Sequence, residues 1–103
     1  MSDTLEELVN DIGAEAFLII DLEGNVIKSE NVDFAENIGL MTEAAFSMCK
    51  DLSQDLGKGD LEQLITKTSK GLMITSRVED KIISILSNDF SKLGLFLKKM
   101  SFI

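Results

Sequence analysis

The chain of 103 residues contains no His, Pro, Trp or Tyr and only one Cys. Without a His, it has no Ser-His-Asp or Cys-His nucleophile system and no imidazole to act as a general base. One Cys cannot form an intrachain disulfide or a multi-cysteine zinc site. These absences argue against an enzyme, and the sequence carries no recognisable metal-binding or cofactor-binding pattern.

Basic residues are also scarce: Lys and Arg together number 10 against 18 acidic residues, which gives a net charge of −8. That charge opposes the attraction to phosphate on which nucleic-acid binding depends, and it disfavours anionic membrane surfaces. The longest apolar run, residues 16–20, is far shorter than the roughly 20 residues that span a bilayer. We therefore expect a protein partner, no nucleic acid and no membrane insertion.

The N-terminal residues contain neither a basic segment followed by an apolar one nor a glycine suited to myristoylation. A single unpaired Cys49 suits a reducing compartment. Both observations predict a cytoplasmic protein. A chain of this length has room for one hydrophobic core, so residues 1–103 are expected to form a single domain.

Hydrophobic periodicity and turn residues divide the chain into elements in the order α-β-β-α-β-β-β-α. The patterns predict helices at residues 4–12, at 33–56 and from 88 through Met100. They predict strands at residues 14–21, 26–31, 61–69, 72–78 and 81–87. We interpret Gly57-Lys58-Gly59 as the stop of the long helix, because the other residues of a phosphate-binding loop are missing.

The strand patterns predict the sheet. Strands 14–21 and 81–87 are apolar on both faces, which is typical of strands covered on both sides, whereas the polar strand 61–69 belongs at an edge. Short connections then predict an antiparallel sheet of order 2-1-5-4-3. The fold class is α+β, an α/β/α sandwich with the long helix on one face of a five-stranded sheet and two short helices on the other.

The long helix carries two sets of residues. Large apolar residues recur every three or four positions and are predicted to face the sheet: Phe34, Ile38, Met41, Ala45, Met48, Leu52 and Leu56. Four small residues and one Phe lie on the flank: Ala35, Gly39, Thr42, Phe46 and Ser53. We interpret this flank as the contact surface for a second helix, with Phe46 as the aromatic anchor. The alternative is that the helix sinks deeper into its own domain and buries this flank.

The predicted edge strand supports self-association. An uncapped edge strand without Pro is a template for pairing with another chain. A two-fold axis could pair this strand with its own copy and bring the two long helices together. On this strand the predicted dimer interface comprises Leu61, Gln63, Ile65 and Lys67.

Residues 17–27 (FLIIDLEGNVI), the run 61–65 (LEQLI) ahead of 71–74 (GLMI), and residues 92–97 (KLGLFL) closely resemble the roadblock family of dynein light chains and its prokaryotic relatives. The resemblance covers the whole chain. It implies a profilin-like fold and a dimer formed with a second copy or with a paralogous roadblock protein. It also implies binding to Ras-like small GTPases, whose hydrolysis some relatives stimulate without an arginine finger. Arg77, the only arginine, falls in a predicted strand, which argues against such a finger here.

By this resemblance, the outer surface of the paired helices would carry the GTPase. That side of the long helix is expected to present Glu36, Leu40, Glu43, Ala44 and Ser47. The implied function is a homodimeric, non-catalytic module that binds a Ras-like small GTPase as its regulator or recruitment platform. One alternative is a structural adaptor, like dynein light chains, that never contacts a GTPase. Another is a small-ligand sensor, which the predicted apolar interior argues against.

Overall fold

The computed structural model describes residues 13–89, 91 and 93–100. The helix predicted at residues 4–12 lies outside the described residues. The elements are β1 (Ala16–Asp21), β2 (Val26–Glu30), α1 (Ala35–Asp55), β3 (Gln63–Thr68), β4 (Gly71–Val78), β5 (Lys81–Ser87) and α2 (Leu93–Met100). Each of them overlaps the segment that the sequence predicts for it.

The five strands form one sheet in the order β2-β1-β5-β4-β3, which confirms the predicted order. All neighbouring strands pair antiparallel. β1 and β5 occupy the centre because their side chains are apolar on both faces and both faces are covered. β3 lies at one edge, as its polar composition predicts.

Each face of the sheet has its own hydrophobic core. On one face, Phe46 of α1 packs against Leu18, Ile20 and Ile82. On the other face, an aliphatic cluster around Ile74, Ile83 and Ile85 receives Leu97 of α2. Helices therefore lie on both faces of the sheet, as the predicted sandwich requires.

The interior is more polar than the sequence predicts, since the apolar periodicity marks only Phe, Leu, Ile, Met and Ala as inward. The structure also buries the hydroxyl side chains Thr42, Thr75, Ser76, Ser84 and Ser87. Thr75 on β4 and Ser84 on β5 are opposite each other in the register, and their hydroxyl oxygens lie 2.8 Å apart in a hydrogen bond. The pairing satisfies both groups, which is the condition for burying them at low cost.

Two turns near α1 are held by hydrogen bonds: the β1–β2 turn and the turn that ends α1 itself. In the β1–β2 turn, Oδ1 of Asp21 accepts hydrogen bonds from the backbone N–H groups of Glu23 and Asn25, both at 2.9 Å. At the end of α1, Gly57 adopts a φ of 71°, and the N–H groups of Gly57 and Lys58 bond to the carbonyls of Gln54 and Ser53. This is the Schellman arrangement, so Gly57 stops the helix as predicted.

Candidate functional site: the surfaces of the long helix

Helix α1 lies unusually close to the β1–β2 hairpin, and glycine makes this approach possible. A Cβ atom built on Gly39 would lie 2.8 Å from the carbonyl oxygen of Gly24 and 3.2 Å from the Cγ2 atoms of Ile20 and Val26. Only a residue without a side chain fits that space. Gly39 therefore sets which side of α1 faces the sheet.

The sheet-facing side of α1 consists of Gly39, Thr42 and Phe46, which are all buried. Phe46 is only 4% exposed and belongs to the core of its own subunit. The expectation that these three residues contact a second helix is therefore wrong, and the alternative, burial within the domain, is what the structure shows. Their neighbours Ala35 and Ser53 are half-buried, and Ser53 Oγ donates a hydrogen bond to the carbonyl of Gly59 at 2.7 Å.

The residues that the periodicity assigns to the core are instead on the surface. Five large apolar side chains of this set are between 58% and 81% exposed. We call them the apolar stripe: Phe34, Met41, Met48, Leu52 and Leu56. Ala45 is exposed beside them, and Ile38 is half-buried against the core. Helical periodicity shows that these residues share a side, but it cannot tell whether that side meets the protein's own sheet or another molecule.

Phe34, at the start of the apolar stripe, has an unusual backbone. It is the N-cap of α1 with φ 56° and ψ 43°, and its side chain is 81% exposed. A bulky residue in the left-handed region is strained, at a cost on the order of 1–3 kcal/mol. Within the described part of the chain, Phe34 packs in neither core cluster.

The predicted interface residues on and before β3 lie at the sheet edge. Ile65 is 44% exposed and Lys67 is exposed, whereas Leu61 and Gln63 are half-buried. Leu61 packs in part against the core cluster under α1. The other long side of β3 carries no strand among the described residues, so its backbone is open to pairing.

Four of the predicted GTPase-binding residues lie on the flank of α1 opposite to the apolar stripe: Glu36, Leu40, Glu43 and Ser47. The fifth, Ala44, borders the stripe, three residues from Met41 and four from Met48. At about 100° per residue, the two sets fall on either side of the sheet-facing line through Gly39, Thr42 and Phe46. Glu36, Leu40, Ala44 and Ser47 are exposed, and Glu43 is half-buried. Leu40 and Glu43 contact the hairpin turn, because a Cβ built on Gly24 would lie 3.1 Å from Leu40 Cδ2 and 3.3 Å from Glu43 Cβ.

The flank that holds Glu43 and Ser47 continues into a groove that the sequence patterns do not predict. Two cavities meet there, and Phe46, Lys50 and Arg77 line both of them. Arg77 is exposed although it lies in β4. The sequence holds one signal for this position of Arg77. Side chains alternate between the two faces along β4, which places Arg77 on the same sheet face as Thr75 and α1.

Among the described residues, no three His, Cys, Asp or Glu side chains come together as a metal site. The hydrogen bonds from Asn25, followed by those from Glu23 and Gly24, lower the pKa of Asp21, which makes this carboxylate a turn-forming group. Within the same residues, no helix is long and apolar enough to cross a bilayer.

The described residues thus combine a five-stranded antiparallel sheet with an exposed apolar side of α1 and a sheet edge that carries no further strand. The Roadblock/LC7 domain model matches residues 2–87, and the chain belongs to this family. No curated protein sequence gives a match.

Solved structures agree on the fold. MglB of Myxococcus xanthus has a TM-score of 0.75 and 17% identity, over 92% of this chain and 83% of that one. A Roadblock/LC7 domain of Streptomyces avermitilis has a TM-score of 0.73 and 16% identity, over 92% and 86%. Profilin IB of Acanthamoeba castellanii has a TM-score of 0.63 and 15% identity, over 91% and 87%, which confirms the profilin-like description. At these identities the likeness concerns the fold alone.

Proposed function

We propose that the protein is a homodimeric, non-catalytic module that binds a Ras-like small GTPase in the cytoplasm and acts as its regulator or recruitment platform. The observation that carries the proposal is the apolar stripe: five large side chains aligned on one side of α1 and exposed to solvent in the single chain. A contiguous apolar patch of this kind is the usual mark of an interaction surface.

The second copy is the occupant that fits the apolar stripe best. The opposite flank of α1 faces the end of the sheet with the β1–β2 turn, because Leu40 and Glu43 contact Gly24 there. The stripe therefore faces the other end, where a groove of about 500 Å³ is lined in part by Ala16, Met73 and Leu86. A partner helix laid along α1 would cover both the stripe and this groove.

The edge strand provides the second half of the interface. A two-fold axis that brings the stripes together can also pair β3 with its copy, because such an interface uses the same patch on both subunits. Ile65 and Lys67, exposed on β3, would then lie at the junction. We retain Leu61, Gln63, Ile65 and Lys67 in the proposed interface, and we replace Gly39, Thr42 and Phe46 with the apolar stripe. A paralogous roadblock protein with a similar stripe could take the place of the second copy.

The proposed GTPase surface stays accessible in such a dimer. Glu36, Leu40, Glu43 and Ser47 lie on the flank of α1 that points away from the stripe, and Ala44 lies between this flank and the stripe. Leu40, 54% exposed, supplies an apolar centre among charged and small residues, a composition suited to a transient contact. The GTPase assignment follows from membership of the Roadblock/LC7 family and what the resemblance to it implies. Any effect on hydrolysis would come from arranging the GTPase's own groups.

A binding assay tests the proposal. The Ras-like GTPase encoded closest to this chain's gene, loaded with GDP or with a non-hydrolysable GTP analogue, is titrated with the protein. We expect binding in at least one nucleotide state. Glu36→Lys and Glu43→Lys should each weaken binding, whereas Glu30→Lys, exposed on β2, is the matched control and should not.

The outcomes separate the two candidate roles. Binding in neither nucleotide state by a chain that is dimeric would reject the GTPase module and favour the structural adaptor. If Glu36→Lys and Glu43→Lys bind the GTPase as tightly as the wild type does, the GTPase binds to another surface of the protein. Hydrolysis measured in the same mixtures distinguishes a regulator from a recruitment platform.

A further inference from the structure

The groove beside Lys50 and Arg77 has a charge pattern that stands out in an acidic protein. Its two cavities measure about 650 Å³ and about 140 Å³, and both cations line both of them. Glu43 lies in the smaller cavity, while Asp60, Glu62 and Glu79 lie in the larger one. The two cations thus lie at the centre of the groove, where the two cavities adjoin, and each cavity also contains at least one carboxylate, within a chain of net charge −8.

Arg77 is held in place at this centre. Its Nε donates a hydrogen bond to the backbone carbonyl of Glu79 at 2.9 Å. Glu79 adopts a φ of 56°, which is strained for a residue with a side chain. The bond uses one N–H group, and the remaining donors of the guanidinium stay available for a planar carboxylate.

Lys50 provides the second cation from α1. It is half-buried, and within the described part of the chain it takes part in no hydrogen bond or ion pair. Partial burial removes water from the Lys50 ammonium group, and without a partner this loss of hydration is unfavourable. An acidic group that enters the groove would compensate for the lost hydration.

The end of β4 next to the groove is accessible, as the strand register shows. β3 ends its pairing at Gln63 opposite Ser76, and Arg77 lies beyond it. Ser76 itself pairs with Ile83 and so faces the other side of the sheet, where its buried Oγ has no hydrogen-bond partner among the described residues. The groove is therefore formed by Arg77 and by α1 on the same face of the sheet.

From these observations we propose that the Lys50–Arg77 groove is a specificity site that receives an acidic side chain of the GTPase flanked on both sides by basic residues. This inference rests on the proposed function and deepens it, since Glu43 and Ser47 belong both to the smaller cavity and to the proposed GTPase surface. The acidic side chain pairs with Lys50 and Arg77, and the basic neighbours meet the carboxylates of the two cavities. The pattern also disfavours proteins with uniformly acidic or uniformly basic surfaces.

Titration calorimetry with the Ras-like GTPase encoded closest to this chain's gene tests whether the groove contributes to binding. The variants are Lys50→Gln, Arg77→Gln and the double variant, with Lys50→Arg as the charge-conserving control and Lys58→Gln as an exposed lysine outside the groove. We expect the double variant to weaken binding at least tenfold. Lys50→Arg and Lys58→Gln should bind within about twofold of the wild type, and added salt should weaken wild-type binding more than double-variant binding.

The outcomes distinguish this inference from the proposed function. If the wild type binds the GTPase and the double variant binds it equally well, the groove is not a specificity site, while the proposed function stands. If the wild type binds in neither nucleotide state, the proposed function fails and the groove assignment falls with it. Circular dichroism and sedimentation show whether each variant remains folded and dimeric, and Arg77→Gln, at an exposed side chain, serves as the decisive variant if Lys50→Gln fails to fold.

Discussion

Gly39 of α1 lies directly against the backbone of Gly24 in the β1–β2 turn, with 2.8 Å between the Gly24 carbonyl oxygen and the position of a Cβ on Gly39. This approach orients the whole helix. It turns Thr42 and Phe46 into the core, and it leaves the apolar stripe on the surface.

Gly39→Ala is expected to destabilise the protein. Alanine favours a helix by up to about 1 kcal/mol over glycine. The clash with a backbone oxygen cannot be relieved by a side-chain movement, and overpacking of this kind costs about 1–3 kcal/mol. Urea unfolding should show a net loss of stability. Gly94→Ala in α2, where a Cβ meets nothing within 4 Å, is the matched control and should leave stability unchanged or raise it.

The Thr75–Ser84 pair predicts a coupling between two buried hydroxyls. Thr75→Val leaves the Ser84 hydroxyl buried without its partner, at a cost of about 1–3 kcal/mol. Ser84→Ala should act in the same way on Thr75. The double variant should lose less stability than the sum of the two single losses, by about 1 kcal/mol. Additive losses in a denaturation cycle would show that the 2.8 Å contact does not stabilise the protein.

The apolar stripe predicts a dimer that depends on Met48. Met48 is 72% exposed in the single chain, so Met48→Glu should leave the subunit folded. A charge at the centre of an apolar interface should weaken association by about 2 kcal/mol or more, which is roughly 30-fold. Sedimentation velocity over a concentration series measures the shift.

Two variants control the Met48 experiment. Ser47→Glu places the same charge on the exposed flank away from the stripe, and it should leave the dimer intact. Phe46→Ala should instead lower the stability of the subunit by about 3–5 kcal/mol, because Phe46 lies in the core. A wild-type chain that sediments as a folded monomer at high micromolar concentration would contradict the proposed interface.

Asp21 predicts an acid-dependent turn. Its hydrogen bonds to Asn25 and the neighbouring backbone lower its pKa from the ordinary value of 3.8. A carboxylate with a depressed folded-state pKa stabilises the fold fully above the unfolded value, and this contribution disappears as the pH falls through the folded value. The loss should therefore begin below about pH 4.

Thermal unfolding at pH 6 and pH 3 measures this contribution. Asp21→Asn should be less stable than the wild type at pH 6, and the difference should shrink at pH 3. Asp51→Asn, at an exposed position in the middle of α1, is the control and should show no such convergence. A constant difference between Asp21→Asn and the wild type at both pH values would show that the turn does not depend on the charge of Asp21.

The strands were predictable because their signals are local. The continuous apolar runs of β1 and β5 require cover on both faces, and the short turns leave little choice of neighbours, so the sheet order followed from the chain. The resemblance of residues 17–27, 61–65, 71–74 and 92–97 to roadblock proteins was sufficient to identify the family.

The functional surface was less predictable because it depends on what lies next to each residue. Arg77 and Lys50 are far apart in sequence, and only the packing of α1 on the sheet brings them to one groove. The left-handed backbone of Phe34 likewise has no signature in residue type or spacing.

The amino-acid sequence by itself determined the helices and strands, the order of the strands in the sheet and the family. Hydrophobic periodicity and turn residues carry this information because each acts over only a few residues. Only the tertiary structure decided which side of α1 is buried. Both sides carry residues that could face a sheet, and the choice depends on the distance between helix and hairpin. At the contact with Gly24, a glycine fits and a larger side chain does not, so the small residues face inward and the large apolar ones remain exposed.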